Sequence, residues 1–378
     1  MKLTPFLLGV TFLFRHVKGL GDCEAFCGFY IGLKSVGGVC NAILGGTPTS
    51  EELEALNCCS FPGVECDPSN PVPTIKKIFI FGRNMKGTIT EYVSQLTSMV
   101  SLHLYNNELT GGLPEDLSMT KLEDIYLYNN QLNGTIENTV FPETLRLFYS
   151  WDNQLNGGLP QNLSMTKLED IFLHNNRLNG TVENTVFPVT LRRLHLYNNE
   201  LTGGLLQDLS TTKLEEIYLY SNRLNGTIEN TVFPETLRFL HLYHNQLTGG
   251  LPQDLSMTRI EDIYLYSNRL NVTMENTVFP ETLKYLYSWD NQLTGGLPED
   301  LSMTKLEDIF LHNNRLNGVI ENTKFPLTLR RLHMYNNQLT GGLPPDLSMA
   351  KLEDIYLYSN RLNGTIENTK FPETLKYL

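Results

Sequence analysis

From Leu122 the chain reads LEDIYLYNNQLNGTIENTVFPET. Counting Leu122 as offset 0, apolar residues fall at offsets 0, 3, 5 and 10 (Leu122, Ile125, Leu127 and Leu132), with Tyr126 and Tyr128 in between. This alternation predicts a short strand that buries Ile125 and Leu127 and turns the tyrosines outward. The pattern returns with a 23-residue period and no slip, at Leu145, Leu168, Leu191, Leu214, Leu237, Ile260, Leu283, Leu306, Leu329, Leu352 and Leu375. Backwards it reaches Met99, and a slightly longer first unit begins at Ile75. Thirteen units at such a period predict a solenoid.

Two unit types alternate, so the true repeat is a pair of units. Above it lies a third level: residues 283–378 track 145–240 almost residue for residue. The heptapeptide YSWDNQL, at 149–155 and 287–293, holds both tryptophans, Trp151 and Trp289, which stand six units apart. A copied six-unit block accounts for that spacing, so the recurrence is one observation rather than two.

Offset 8 is asparagine from Met99 onward: Asn107, Asn130, Asn153, Asn176, Asn199, Asn222, Asn245, Asn268, Asn291, Asn314, Asn337 and Asn360. An amide enclosed at a turn both donates and accepts, so these predict a structural ladder between coils.

Equal offsets should form columns along the concave sheet. Offset 4 holds His103, Tyr126, Tyr149, Phe172, His195, Tyr218, His241, Tyr264, Tyr287, Phe310, His333 and Tyr356. Offset 6 holds Tyr105, Tyr128, Trp151, His174, Tyr197, Tyr220, Tyr243, Tyr266, Trp289, His312, Tyr335 and Tyr358. Cross-strand stacking alone explains such columns. A large outward apolar patch also marks an interaction surface, with the tryptophans as its largest flat faces beside Asp152 and Asp290. In both YSWDNQL copies the inward offset 5 is Ser150 or Ser288 instead of leucine. Either the indole tilts inward to fill the gap, or both coils display Trp as a contact residue.

Offset 1 alternates in sign (Glu123, Arg146, Glu169, Arg192, Glu215, Arg238, Glu261, Lys284, Glu307, Arg330, Glu353), which predicts a rim of exposed ion pairs. Repeated doublets such as Glu123 with Asp124 are a repeat feature rather than one dedicated acid–base pair, so no catalysis is expected. His174 beside His195, and His312 beside His333, lack a third donor for a metal, and no cofactor is expected.

Composition is globular, with 41% hydrophobic and 19% charged residues. A net charge of -12 argues against a nucleic-acid partner, which needs a basic surface. Residues 1–21 read as a signal peptide, with the apolar run PFLLGVTFLF at 5–14, although Arg15, His16 and Lys18 follow it. No later stretch has the length of a transmembrane helix, and attachment to a membrane is left open. All six cysteines lie between 23 and 66, the mark of a disulfide framework in an oxidising compartment. Sequons at Asn133, Asn162, Asn179, Asn225, Asn271 and Asn363 are candidate glycosylation sites along one flank, though Asn-Gly is also a favoured turn dipeptide.

The pattern LxxLxLxxNxL, the segment LTGGLPEDL (109–117) and the segment NCCSFPGVECD (57–67) together resemble plant-type extracellular leucine-rich repeats with their N-terminal cysteine cap, over residues 57–378. The resemblance implies an α/β leucine-rich repeat solenoid, a horseshoe or right-handed superhelix with a concave parallel β-sheet and a mostly irregular or short-helical convex side. It divides the chain into a signal peptide (1–21), a disulfide-bonded cap (22–74) and the repeats (75–378). It also implies a Cys59–Cys66 bridge and a bond from Cys58 to an upstream cysteine, with Cys40 preferred over Cys27 and Cys23. Arg83 in place of the ladder asparagine suits a cap-adjacent coil, and ENTVFPETL replaces the proline motif in half the units. Repeats this similar look more like protist leucine-rich surface antigens than plant receptors. The closing LKYL stops inside a strand, as in a fragment or an incompletely closed solenoid.

The expected function is a non-catalytic, secreted or cell-surface recognition module that binds a protein, peptide or glycan on its concave face. One rival is a hydrolase inhibitor like the plant polygalacturonase inhibitors. Another is a structural or decoy surface array without a specific ligand.

Overall fold

A computed structural model describes residues 21–32, 58–69, 74–348 and 350–378. The signal-peptide segment up to residue 20, and Cys40, lie outside the described residues.

Each coil contributes one three-residue strand, from Ser101–His103 to Asp354–Tyr356, and these pair in parallel with a constant step of one repeat unit: Tyr126 faces Tyr149, and Tyr149 faces Phe172. With two longer strands at the cap end they form a 14-stranded sheet, the concave wall. Offsets 3 and 5 point inward as expected, and Ile125 and Leu127, like Leu122 and Leu132, are fully buried. A second, narrower ladder runs along one flank. It begins with Lys86–Thr88 beside Glu108–Thr110 and continues as single bridges such as Thr181 with Thr202 and Thr227 with Thr248. Among the described residues, helix is confined to α1 (Asp22–Gly32) and three short 3-10 turns, so the convex side is irregular.

The asparagine ladder joins each coil to the one before it. Asn199 donates to the carbonyls of Leu173 and Leu196, both at 3.0 Å, and accepts from the Leu178 amide at 2.9 Å. One side chain thus satisfies three backbone groups that have no strand partner. The residue before it holds the turn: offset 7 has φ between 51° and 57° in every coil from Asn106 to Ser359. The residues there are Asn, Asp, Ser or His, mostly the types whose short polar side chains tolerate the left-handed region. On the flank the coils nearly touch, and a Cβ on Gly134 would lie 2.5 Å from the Gly112 Cα. Chain geometry therefore favours the glycine of Asn133-Gly134, although Val272 takes the equivalent position against Gly250.

The cap closes the first coil. β1 (Val64–Asp67) pairs antiparallel with β2 (Thr74–Phe79), covering the strand edge that Ile78 and Ile80 would otherwise leave open. α1 packs Phe26 and Phe29 into the same core, and the Asp22 carboxylate accepts a 2.7 Å hydrogen bond from the Ile75 amide. Cys59 is bonded to Cys66. The partner of Cys58 is Cys23 rather than Cys40, because anchoring Asp22 to Ile75 carries the next residue of α1 to Cys58, with Cα atoms 5.2 Å apart. Cys27 is disulfide-bonded as well.

Candidate functional site

The concave wall presents three outward columns, at offsets 2, 4 and 6. The rings expected at offsets 4 and 6 are all there, and the first coil adds Phe79 and Phe81 to their ends. Their orientation differs from the expected open aromatic patch. Neighbouring rings lie face to face along both columns: Tyr220 and Tyr243 are 4.3 Å apart and 8° from parallel, Phe172 and His195 4.3 Å and 7°. Strand spacing of about 4.8 Å is close to the centroid separation of two offset-stacked rings, so stacking along the sheet is the natural arrangement. Each ring is therefore sandwiched between its neighbours and turns an edge rather than a face to solvent, and several imidazole nitrogens are buried in the stacks. The exceptions are at the ends: Phe81 is 43% exposed and Tyr358, in the last complete coil, 60%.

Trp151 follows the same rule. Its indole is stacked between Tyr128 at 4.0 Å and His174 at 5.4 Å, and Trp289 repeats this with Tyr266 and His312 at the same distances. The indoles neither offer a flat face nor tilt inward. Ser150 and Ser288 are buried, and each hydroxyl accepts a 3.4 Å hydrogen bond from the ladder asparagine of its own coil, Asn153 or Asn291.

The offset-2 column escaped the sequence reading, because its residues change character from coil to coil: Asp124, Leu147, Asp170, Arg193, Glu216, Phe239, Asp262, Tyr285, Asp308, Arg331 and Asp354. It supplies the electrostatics of the face. Asp170 is 2% exposed, accepts from the Tyr149 hydroxyl at 2.8 Å, and is held by both Nε and a terminal nitrogen of Arg193, whose guanidinium also lies over the Phe172 ring. Asp308, Tyr287, Arg331 and Phe310 form the same group six coils on. His195 contacts Glu216 at 2.8 Å, and His103 contacts Asp124. The signal that could have revealed these groups is the recurrence of an acidic or basic residue two positions before an aromatic.

Burial dominates the titration of this face. It raises the hydroxyls of Tyr149, Tyr218, Tyr220, Tyr264, Tyr266 and Tyr287 far above the usual phenol range, aided at Tyr149 and Tyr287 by the hydrogen-bonded aspartate. It lowers His174 to about 4, with His195 adding a smaller push, and it lowers His312 and His333 in the same direction. These imidazoles are neutral at pH 7. The Nδ1 atoms of His174 and His312 are buried without a hydrogen-bond partner.

The offset-1 rim forms its ion pairs, including Arg146 with Glu169 at 2.8 Å and Arg192 with Glu215 at 2.7 Å. These are exposed contacts of small energetic weight. Among the described residues the one group of three metal-capable donors is Cys58, Cys59 and Cys66, whose sulfurs are in disulfides. No helix of the described residues is long and apolar enough to cross a membrane. All six sequon asparagines are exposed.

Four stretches, 98–119, 190–211, 236–257 and 328–349, match the Leucine Rich Repeat family model. No curated protein matches the sequence. Among solved structures, the chain is similar to the Arabidopsis receptor kinase HAESA in complex with the peptide hormone IDA and the co-receptor SERK1. That likeness has a TM-score of 0.59 at 24% identity, over 73% of this chain and 48% of that one. The chain thus spans about half of the HAESA chain. It is also similar to a plant ice-binding protein, with a TM-score of 0.51 at 23% identity, over 93% of this chain and 97% of that one. At these identities the likeness is one of fold.

Proposed function

We propose that this chain of leucine-rich repeats is a non-catalytic, extracellular recognition module that binds a protein or peptide along its concave face. The observation that carries this reading is the pair of edge-on ring columns beside a charged column. Ring edges and hydroxyls repeat there over twelve coils at strand spacing, with the guanidinium groups of Arg193 and Arg331 beside them. Stacked rings leave few aromatic faces for a sugar to lie on, so polar edge contacts with a polypeptide suit the surface better than glycan stacking. The most buried carboxylates of the face, Asp170 and Asp308, are engaged by Arg193, Arg331 and tyrosine hydroxyls, which fits a fixed binding surface better than proton transfer. The disulfide cap favours an oxidising compartment.

The test is selection of a displayed random-peptide library on the full, oxidised chain. Binders should be lost on Tyr220→Arg or Tyr243→Arg and kept on the convex variant Met257→Lys. Binders indifferent to both tyrosine changes would overturn the reading.

The flank favours a second reading. Thr88 pairs there with Thr110, Thr181 with Thr202, Thr227 with Thr248 and Thr273 with Thr294, so that hydroxyls recur in bridged pairs along the flank. We infer that such a row can hold an ordered layer of water and engage ice. Thr181, Thr227 and Thr273 also belong to sequons, so glycans at Asn179, Asn225 or Asn271 would cover the row. Unglycosylated protein should therefore slow ice recrystallisation, and Thr202→Lys with Thr248→Lys should abolish the effect. Equal activity in that variant would sink the idea.

A further inference from the structure

The duplicated block lets one part of the chain be compared with another. Between 145–240 and 283–378 the copies differ in the core (Phe148 and Leu286, Leu196 and Met334), on the flank and convex side (Thr181 and Val319, Val186 and Lys324, Leu206 and Pro344), near the rim (Val189 and Leu327) and in the offset-2 column of the concave face (Leu147 and Tyr285, Glu216 and Asp354, Phe239 and Tyr377). The ring columns have not diverged: Tyr149, Trp151, Phe172, His174, His195 and Tyr197 recur as Tyr287, Trp289, Phe310, His312, His333 and Tyr335. Stacking alone does not require this order, since both Tyr and His stack at offset 4 in other coils.

The geometry has been kept along with the residues. Tyr149 lies 2.8 Å from Asp170, and Tyr287 2.8 Å from Asp308. Arg193 and Arg331 each hold their aspartate through Nε at 2.7 Å. Beside each tryptophan the offset-7 residue is an exposed aspartate, Asp152 or Asp290, where every other coil has Asn, Ser or His. One oxygen of each accepts from the next coil's asparagine, Asn175 or Asn313, and neither carboxylate has a cationic partner. Next to each lies the unpartnered Nδ1 of His174 or His312.

We propose that the concave face carries two equivalent sites, centred on Trp151 with Asp152 and on Trp289 with Asp290. Each takes the same peptide epitope through a basic side chain, so that one solenoid engages two copies. The charge argument is direct: an unpaired carboxylate beside an indole edge and a neutral imidazole complements a lysine or arginine. Six strand spacings separate the sites by about 29 Å, enough for two peptides to bind without contact. A partner that presents its epitope twice would gain avidity at that separation. The proposal rests on the concave face being the recognition surface.

The test uses peptides selected from the random displayed library on the full chain, with stoichiometry read by calorimetry and native mass spectrometry. Selected peptides should carry a shared basic residue and bind two per chain. Asp152→Asn, which keeps the side-chain shape and the contact with Asn175, should leave one strong site and weaken the other at least about tenfold. Asp290→Asn should do the same at the other site, and the double variant should lose both. Unchanged melting temperatures in these variants separate lost contact from lost fold. One peptide per chain, or concave-face binders indifferent to both changes, would overturn the two-site proposal and leave the recognition reading intact. If no selected binder depends on the concave columns, the recognition reading fails and this proposal with it.

Discussion

The indole of Trp151 lies 4.0 Å from the ring of Tyr128 and only 4° from parallel to it. Both faces of the tryptophan are thus spent on neighbours within the sheet, and Trp289 stands in the same position against Tyr266. Changing both tryptophans to tyrosine keeps a ring in each stack, so the melting temperature should shift by no more than a few degrees, whereas Trp151→Ala should cost about 2 kcal/mol through the lost stacking on both sides. Thermal unfolding followed by circular dichroism checks this, and equal losses for tyrosine and alanine would contradict the stacked geometry.

Asp170 with Arg193, like Asp308 with Arg331, is a charged contact of the concave face whose carboxylate is almost fully buried. Removing the arginine leaves a carboxylate with 2% exposure and only the Tyr149 hydroxyl as a side-chain donor. Arg193→Met should therefore destabilise by about 2 kcal/mol or more, somewhat below the figure for a fully buried pair because the guanidinium is partly solvated. Asp170→Leu combined with Arg193→Met should recover much of that loss. Denaturant midpoints across the double-mutant cycle measure the coupling, and strictly additive effects would contradict it.

Adjacent asparagines in one turn should behave in opposite ways. Asn199→Leu leaves the carbonyls of Leu173 and Leu196 and the Leu178 amide without their side-chain partner, at a cost of at least about 3 kcal/mol. Asn198, at φ 54°, carries backbone strain instead. Asn198→Gly should be nearly neutral, and Asn198→Val should cost about 1–2 kcal/mol. Urea unfolding of the three variants ranks them, and a tolerated Asn199→Leu would refute the ladder's role.

Much of this fold was legible because a strict period leaves no freedom in register: Ile125 and Leu127 had to be buried once Tyr126 and Tyr128 were outward. The orientation of those rings was not legible, because a column of offsets tells which side a residue faces and nothing of the rotation of its ring. The Asp170 and Arg193 pair was hidden for another reason. The two lie one unit apart at an offset occupied by Leu147 and Phe239 in other coils, so no single unit displays the pairing. Cys23 was missed as the partner of Cys58 because spacing cannot fix connectivity, whereas the Asp22 contact to Ile75 does.

Acid should weaken the sheet through its histidines. In the unfolded chain an imidazole titrates near 6.5, whereas burial in the stack holds His174 near 4 and lowers His312 and His333 as well. Between those values the unfolded state binds more protons, so stability falls as pH drops from about 6.5 toward about 4. His174→Phe with His312→Phe keeps the stacks and removes two of these sites, which should flatten the pH dependence in that window. Melting temperatures from pH 7 to pH 4 give the comparison, and parallel curves for variant and parent would rule the histidines out.

Cys23–Cys58 closes a loop of 35 residues and Cys59–Cys66 one of 7. On chain entropy alone their loss costs roughly 4 and roughly 2.5 kcal/mol. The larger bond also carries a structural load, since α1 brings Phe26 and Phe29 onto the first coil and the Asp22 carboxylate onto the Ile75 amide. Without it the buried end of the solenoid at Ile75 and Ile78 opens to water, and in a stack of nearest-neighbour coils an open end is where unfolding begins. Non-reducing peptide mapping should recover Cys23 linked to Cys58 and Cys59 linked to Cys66. Cys23→Ser should lower the unfolding midpoint more than Cys66→Ser does. Hydrogen exchange should then show the first coils, up to about Leu104, losing protection before the centre of the array. A map joining Cys58 to Cys40, or a Cys23→Ser protein as stable as its parent, would refute this account of the cap.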